Sequence, residues 1–244
     1  MKAAMHQPHY FPWLGYMDKM AKCDIFVLLD EAQLTDSSNM FRNKFLSSSG
    51  REKYLTVSFL KPGYMQKKFM DVELNHRINW QKNHVNFLKN NYIKSPYFKE
   101  VWENIECVFS NTYSYICDVA VDSLKIIKNM LKIPTRLILQ SELIYDKNAQ
   151  KTDLVLEICR AVGADQYLSG RGARKYMELP PFAQHGIEVR FQKFTHPVYP
   201  QINSEGFVPN LSSLDFLFNC GIEKAGEIFW NNIKAINEFD EDSE

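Results

Sequence analysis

Apolar and polar positions along this chain follow two rhythms. Short, wholly apolar runs read as strands buried on both faces, as a parallel sheet requires. Residues 2–5 and 24–29 are two such runs, the second bracketed by Asp24 and Asp30. Residues 136–140 and 166–168 read as further short strands, and 187–191 alternates like a strand near the sheet edge. Residues 41–46 and 54–59 read as strands joined by a turn at 47–51. Helical spacing marks 79–92 and 97–109. The clearest helix is 112–131, with Ile116, Val119, Leu124, Ile127 and Leu131 on one face and Thr112 as its cap. Residues 152–162 predict a helix capped by Thr152 and stopped at Gly163. A tight turn at 169–172 leads into a further helix, and 212–219 reads as another.

Strands alternating with helices imply an α/β fold, a Rossmann-like, mostly parallel sheet flanked by helices. The helical block 79–131 is too long for one crossover, so it reads as an insertion on a single domain spanning 1–237. Residues 238–244 form an acidic tail expected to fray. Pro197, Pro200, Gly206 and Pro209 predict a long ordered loop folding back over the sheet.

Composition narrows the function classes. Lys+Arg and Asp+Glu stand at 29 each, for a net charge of zero. That argues against general nucleic-acid binding, which shows as a basic excess, but leaves room for a local basic pocket. Cys23, Cys107, Cys117, Cys159 and Cys220 are scattered and form no CxxC, so no disulfide framework or zinc site is expected and a reducing cytoplasm is the natural location. The start is polar by His6, unlike a signal peptide, and no run approaches the ~20 apolar residues of a membrane helix. The sequence carries no signal for oligomeric state.

Four stretches carry candidate chemistry. The first runs from His6 to Tyr16, between a strand and a helix, where open α/β sheets bind their ligands. Its prolines stiffen the turn, and Gly15 permits close backbone approach. His6 and His9 suit phosphate contacts or proton transfer near neutral pH. Gln7, Tyr10, Trp13 and Tyr16 offer flat faces or polar handles for a ligand. The structural alternative is an aromatic plug with hydrogen-bonded histidines; as metal ligands, the two histidines lack a third.

The second stretch holds Asp30 and Gln33, placed to orient a sugar hydroxyl or a phosphate-bound magnesium ion, followed by Arg42 and Asn43 for anion recognition. The third is Ser169-Gly170-Arg171-Gly172-Ala173-Arg174, a glycine turn whose N–H groups form an anion nest, with Ser169, Gly170, Gly172 and Arg174 as its contacts. Lys151, at a helix start, adds another anion contact. The fourth holds His196, the best candidate for a catalytic base, in a stiff loop with Tyr199 and Gln201; Asp215 is expected to orient it. All four stretches are expected to line one cleft.

Together these stretches resemble the WbqC family. The resemblance rests on HQPHYFPWLGY, DIFVLLDEAQ, RNK, KTDLVLEICRAVGADQYLSGRGARKY, GIEVRFQKFTHPVYPQ and FVPNLSSLDFLFNCG, spanning residues 3–229, with Arg171 as the visible departure. It implies a role in bacterial surface-polysaccharide (O-antigen) gene clusters. The order of strand, aromatic turn, glycine-containing helix start and second strand also resembles ATP-using nucleotidyltransferase-like folds. There, Trp13-Leu14-Gly15-Tyr16 stands where those folds carry HxGH, keeping the glycine and losing both histidines. That likeness implies activation of a carboxylate by ATP and Mg2+, with acyl-CoA as the alternative donor. The expected product is an amide on a nucleotide-linked amino sugar, from a small acyl or amino-acid donor. A non-catalytic binding module and a metal-dependent hydrolase are the competing expectations.

Overall fold

The chain opens with β1 (Lys2–His6), α1 (Leu14–Ala21) and β2 (Ile25–Leu28). A hairpin of β3 (Arg42–Leu46) and β4 (Glu52–Thr56) follows, then α2 (Trp80–Tyr92), α3 (Phe98–Ser110) and α4 (Ile116–Met130). The chain returns to the sheet with β5 (Arg136–Leu139), α5 (Lys151–Ala161), β6 (Gln166–Ser169), α6 (Pro180–Gln184) and β7 (Glu188–Phe191). It ends in α7 (Ser213–Cys220) and α8 (Ile222–Asn237). This is a computed structural model, and it describes residues 1–35 and 39–237. The acidic tail at 238–244 and loop residues 36–38 lie outside the described residues.

Five parallel strands are ordered β5-β2-β1-β6-β7. This is the α/β sheet the apolar runs predict. β1 lies at the centre because both its faces are covered: Ala4 joins the core with Phe26 and Leu28, while Ala3 and Met5 join a second core with Ile25 and Val27. That second core also holds Leu156 and Cys159 of α5 and Phe182 of α6. The chain builds outward from β1 to β2 and β5, then crosses back to add β6 and β7 on the other side. The reversal leaves a crevice outside the carboxyl ends of β1 and β6, the usual ligand position in such sheets.

The segment between β2 and β5 is larger than the helical block alone, since it includes the antiparallel β3–β4 hairpin. Thr112 does not cap α4. The chain is held extended up to Tyr115 instead: Leu74 N–H donates to the Ser114 carbonyl (2.9 Å) and Ile116 N–H to that of Val72 (3.0 Å). Thr152 falls inside the first turn of α5, whose cap position is Gln150. The turn after β6 leads only into a short 3₁₀ turn, Arg171–Lys175, rather than a helix. Among the described residues, no helix is long and apolar enough to cross a membrane.

One backbone feature anchors the loop that leaves β1. Phe11 has φ 38°, a left-handed value that a bulky L-residue rarely adopts. Three polar side chains hold it. Ser123 of α4 accepts from the Phe11 N–H (3.0 Å). The Phe11 carbonyl accepts from the Asn43 amide (2.6 Å) and the Ser212 hydroxyl (2.8 Å). Asn43 also donates to the Tyr10 carbonyl (3.2 Å).

Beyond β2, Glu31 joins three segments by accepting from Lys68, Lys147 and Tyr145. Burial pushes its pKa up, but these donors outweigh burial and hold it at about 2.

Asn43→Ala strips the donor from two buried carbonyls and is expected to lower the unfolding free energy by about 1–3 kcal/mol, read from urea titration. Because the folded pKa of Glu31 lies below its ordinary value, its contribution is present above about pH 4.5 and fades as pH falls toward 2. The stability difference between wild type and Glu31→Gln should therefore shrink over that interval, measured by urea titrations at pH 6, 4 and 3.

Candidate functional site

The crevice between β1 and β6 holds a cavity of about 320 Å³. His6 ends β1, Gly170 follows β6, and α1 supplies Trp13, Tyr16 and Lys19 from its first turns. A wider cavity of about 770 Å³ adjoins it, lined by Arg174, Lys175 and Lys193. The two share Arg171, Gly172, Gln192 and Phe194.

Local packing dictates how α1 begins. The Trp13 ring lies back over the helix start, so a Cβ on Gly15 would stand 2.2 Å from it. Glycine is thus required by the indole. The Trp13 ring also lies nearly perpendicular to that of Phe194, with centroids 5.4 Å apart. Gln192 fixes the same turn from the other side, donating to the Gly15 carbonyl (2.8 Å) and the Asp18 carboxylate (2.6 Å).

His6, His9 and Tyr16 form a triangle of rings with centroids 4.7–5.0 Å apart. The His6 Nδ1 and the Tyr16 hydroxyl both donate to the Gln7 carbonyl, at 3.2 and 3.1 Å. Gln7 thus serves this ring cluster through its backbone. Burial, and then the charge of Lys19, lowers the pKa of His6 to about 3. Burial, and then His6, holds His9 well below its ordinary value. Both rings are neutral at physiological pH, so the titration near neutrality expected of them does not occur in this state of the site.

Lys19 is the residue that sequence reading missed. Its side chain is buried, at 4% exposure, and its Nζ donates to the Met5 carbonyl (2.9 Å). Among the described residues, no carboxylate pairs with it. Its neighbour Asp18 faces Lys22 at 3.0 Å. Desolvation lowers the Lys19 pKa to about 8. A signal did exist: Lys19 follows Tyr16 by three positions and Gly15 by four, which places all three on one helical face.

The other expected site residues divide cleanly. Gly170, Gly172 and Arg174 line the paired cavities, and Arg174 stands 5.8 Å over the Phe191 ring. Ser169 is buried at the end of β6, beneath them. The stretches around 30–43 and 196–201 do not join this lining. Tyr10 is wholly buried, its hydroxyl bonded to His84 Nδ1 (2.8 Å). Asp30 accepts from the Ser141 N–H (3.0 Å) and hydroxyl (2.6 Å), tying the end of β2 to the turn after β5. Gln33 bridges to the Lys68 backbone, Arg42 stacks over Tyr54 at 4.5 Å, and Asn43 clamps the Phe11 loop. Lys151 starts α5 on the surface.

The expected pairing of His196 with Asp215 does not form. The buried Asp215 carboxylate accepts from Tyr92 (2.8 Å), Tyr199 (2.8 Å) and Gln201 (2.9 Å), which hydrogen-bond both its oxygens. The His196 Nδ1 turns to the Pro197 carbonyl (2.9 Å), and its ring packs against Phe194 and Phe207. Among the described residues, no group of three His, Cys, Asp or Glu side chains is placed to hold a metal ion.

Comparison with known proteins agrees with the spread of these features along the chain. The sequence profile of the WbqC-like protein family matches residues 7–227. A relative from Mycobacterium tuberculosis (strain ATCC 25618 / H37Rv), the uncharacterized protein Rv1507c, is 29% identical over 224 residues. That alignment covers 91% of this chain and 95% of the relative. No solved structure matches. The matched span includes the β1 loop, α1, β6, its glycine turn and α7, with His6 at the end of β1 just outside it, and the chain belongs to the WbqC-like protein family.

Proposed function

We propose that this protein is a transferase or ligase of bacterial surface-polysaccharide assembly, acting on a nucleotide-linked amino sugar bound in the β1/β6 cleft. One observation carries the reading. In a chain of zero net charge, the paired cavities gather Lys19, Arg171, Arg174, Lys175 and Lys193, and no Asp or Glu is among their lining residues. A cation-lined concavity of this kind concentrates polyanionic ligands. Arg171 and Arg174 suit bidentate phosphate contacts, and Trp13 and Tyr16 offer flat apolar surface to a sugar or base. The family's association with surface-polysaccharide gene clusters supplies the context.

The reaction that fits is amide formation. The sugar amine attacks an acyl carbonyl, a C–N bond forms, and the bond from carbonyl to leaving group breaks. The leaving group is AMP when ATP with Mg2+ activates the donor, or the CoA thiolate when acyl-CoA supplies it, and the amine proton leaves to solvent. Both donors are polyanions that the same basic surface accommodates. No carboxylate–histidine pair stands in the cleft, so positioning and fixed positive charge carry the rate. The lack of that pair also favours the second reading, a binding module that grips the nucleotide-sugar without transforming it. Among the described residues, no ligand cluster supports a metal-dependent hydrolase.

Isothermal titration with ATP, acyl-CoA and nucleotide-linked amino sugars separates these readings. At least one of the three should bind, and Arg174→Ala should weaken it about tenfold, about 1.4 kcal/mol. His196→Ala, whose ring lies outside the cleft lining, should leave that affinity within about twofold. Failure of all three ligands to bind overturns the substrate assignment. Binding of a sugar without turnover in the presence of either donor favours the module.

A further inference from the structure

The paired cavities differ in kind. The outer one is wide and carries Arg171, Arg174, Lys175 and Lys193 on or near the surface. The inner one is narrower: it shares the exposed Arg171 with the outer one, and its one buried charge is the Lys19 ammonium among His6, Trp13 and Tyr16. A Cβ on Gly170 would stand 3.9 Å from Lys19 Nζ, which places that ammonium directly under the glycine turn joining the two cavities.

Lys19 has no structural task that explains it. Its hydrogen bond to the Met5 carbonyl uses one of three N–H groups, and no described carboxylate balances its charge. A buried, unpaired lysine is costly, and an apolar side chain of similar volume would pack the same space without that penalty. The neighbouring imidazoles do not provide the missing negative charge, because both are neutral. The partner must come from outside the chain.

We infer that the cleft comprises two anion subsites of different valence: an outer one for a di- or triphosphate, and an inner one in which Lys19 receives a single carboxylate. The assignment rests on reading this cleft as the substrate site, and it gives that substrate a direction. Phosphates lie over β6 and β7, and the carboxylate of the acyl donor lies inside, over the end of β1. The one buried ammonium matches one carboxylate charge, while a polyphosphate drawn in past the exposed Arg171 would leave excess negative charge beside aromatic rings. The outer cations, being exposed, are suited to a ligand that keeps part of its hydration.

Two probes test the division without requiring the natural substrate. Reductive methylation with formaldehyde and a borane reports each lysine amine: the amine and the aldehyde condense to an imine with loss of water, and the borane reduces it. Mapped by mass spectrometry in the wild-type protein, Lys19 should be modified, and propionate should slow its modification at least threefold relative to surface lysines. Tripolyphosphate binding, followed by isothermal titration, should fall at least tenfold in the Arg171→Ala/Arg174→Ala double variant and less than threefold in Lys19→Met. Lys19→Met should melt at or above the wild-type temperature, since it removes a buried unpaired charge. The inference is overturned if Lys19 is unreactive, if propionate gives it no selective protection, if tripolyphosphate depends on Lys19 as strongly as on the arginines, or if Lys19→Met melts well below wild type. Because these readouts use simple ions, they stand even if no nucleotide-linked sugar binds. That outcome would remove the substrate assignment and leave the two subsites.

Discussion

The left-handed peptide at Phe11 is the constraint on which the cleft depends. Such a conformation costs about 1–3 kcal/mol and persists only where surrounding contacts over-determine it. Here the contacts come from three distant elements: Asn43 on β3, Ser123 on α4 and Ser212 at the cap of α7. Each hydrogen bond contributes about 1 kcal/mol, so together they offset the strain. The Ser213 N–H adds a fourth tie by donating to the Pro12 carbonyl (3.0 Å), and Trp13 pairs with Ser212 as an isolated bridge. The kink turns the chain from β1 into α1 within a few residues and so brings Trp13, Tyr16 and Lys19 over the carboxyl end of the sheet. The β3–β4 hairpin and the helical block thus serve as a scaffold for the first loop.

Behind this clamp sits a buried polar junction. The Tyr92 hydroxyl donates to Asp215 and accepts from the Leu46 N–H (2.8 Å), linking α2, α7 and the hairpin. Tyr199 and Gln201 join from the long loop after β7, and Gln201 also pairs with the Val208 backbone through both its amide atoms. Burial raises the Asp215 pKa, and the three donors partly oppose that shift. With both carboxylate oxygens hydrogen-bonded, such a network specifies one packing without recruiting an imidazole. This is why His196 stands apart, and why the loop after β7 can hold Phe194 firmly against the Trp13 ring.

How much of this was legible in the sequence follows from the range of each interaction. Ile25–Leu28 and Lys2–His6 announce buried strands because burial on both faces demands unbroken apolar runs. The turn at Ser169–Gly172 could be placed because glycine pairs mark a local backbone event. Local pattern cannot reveal a partner 123 positions away, as Tyr92 is from Asp215. Polar residues in stiff, aromatic company therefore read as chemistry when they were serving the core: Tyr10, Asp30, Asn43, Tyr199, Gln201 and Asp215 all satisfy buried partners. Lys19 suffered the opposite error. On a short amphipathic helix a lysine reads as solvated, and only the fold buries that face of α1 against the sheet end.

The two errors share one cause, and it bears on what the cleft is for. Among the described residues, the three buried aspartates each meet side-chain partners. Asp215 has three donors, Asp30 accepts from both polar groups of Ser141, and Asp18 has Lys22 and Gln192. Lys19 differs from them, with one backbone carbonyl and a pKa drawn down to about 8 by desolvation. At that value the amine remains mostly protonated at neutral pH, so the site carries a positive charge with unfilled hydrogen-bonding capacity. The neighbouring histidines, held neutral, add no competing charge and leave that ammonium as the buried charge of the inner cavity. A buried ammonium left with unfilled hydrogen-bonding capacity beside a glycine turn and aromatic faces is what the carboxylate inferred above would complete.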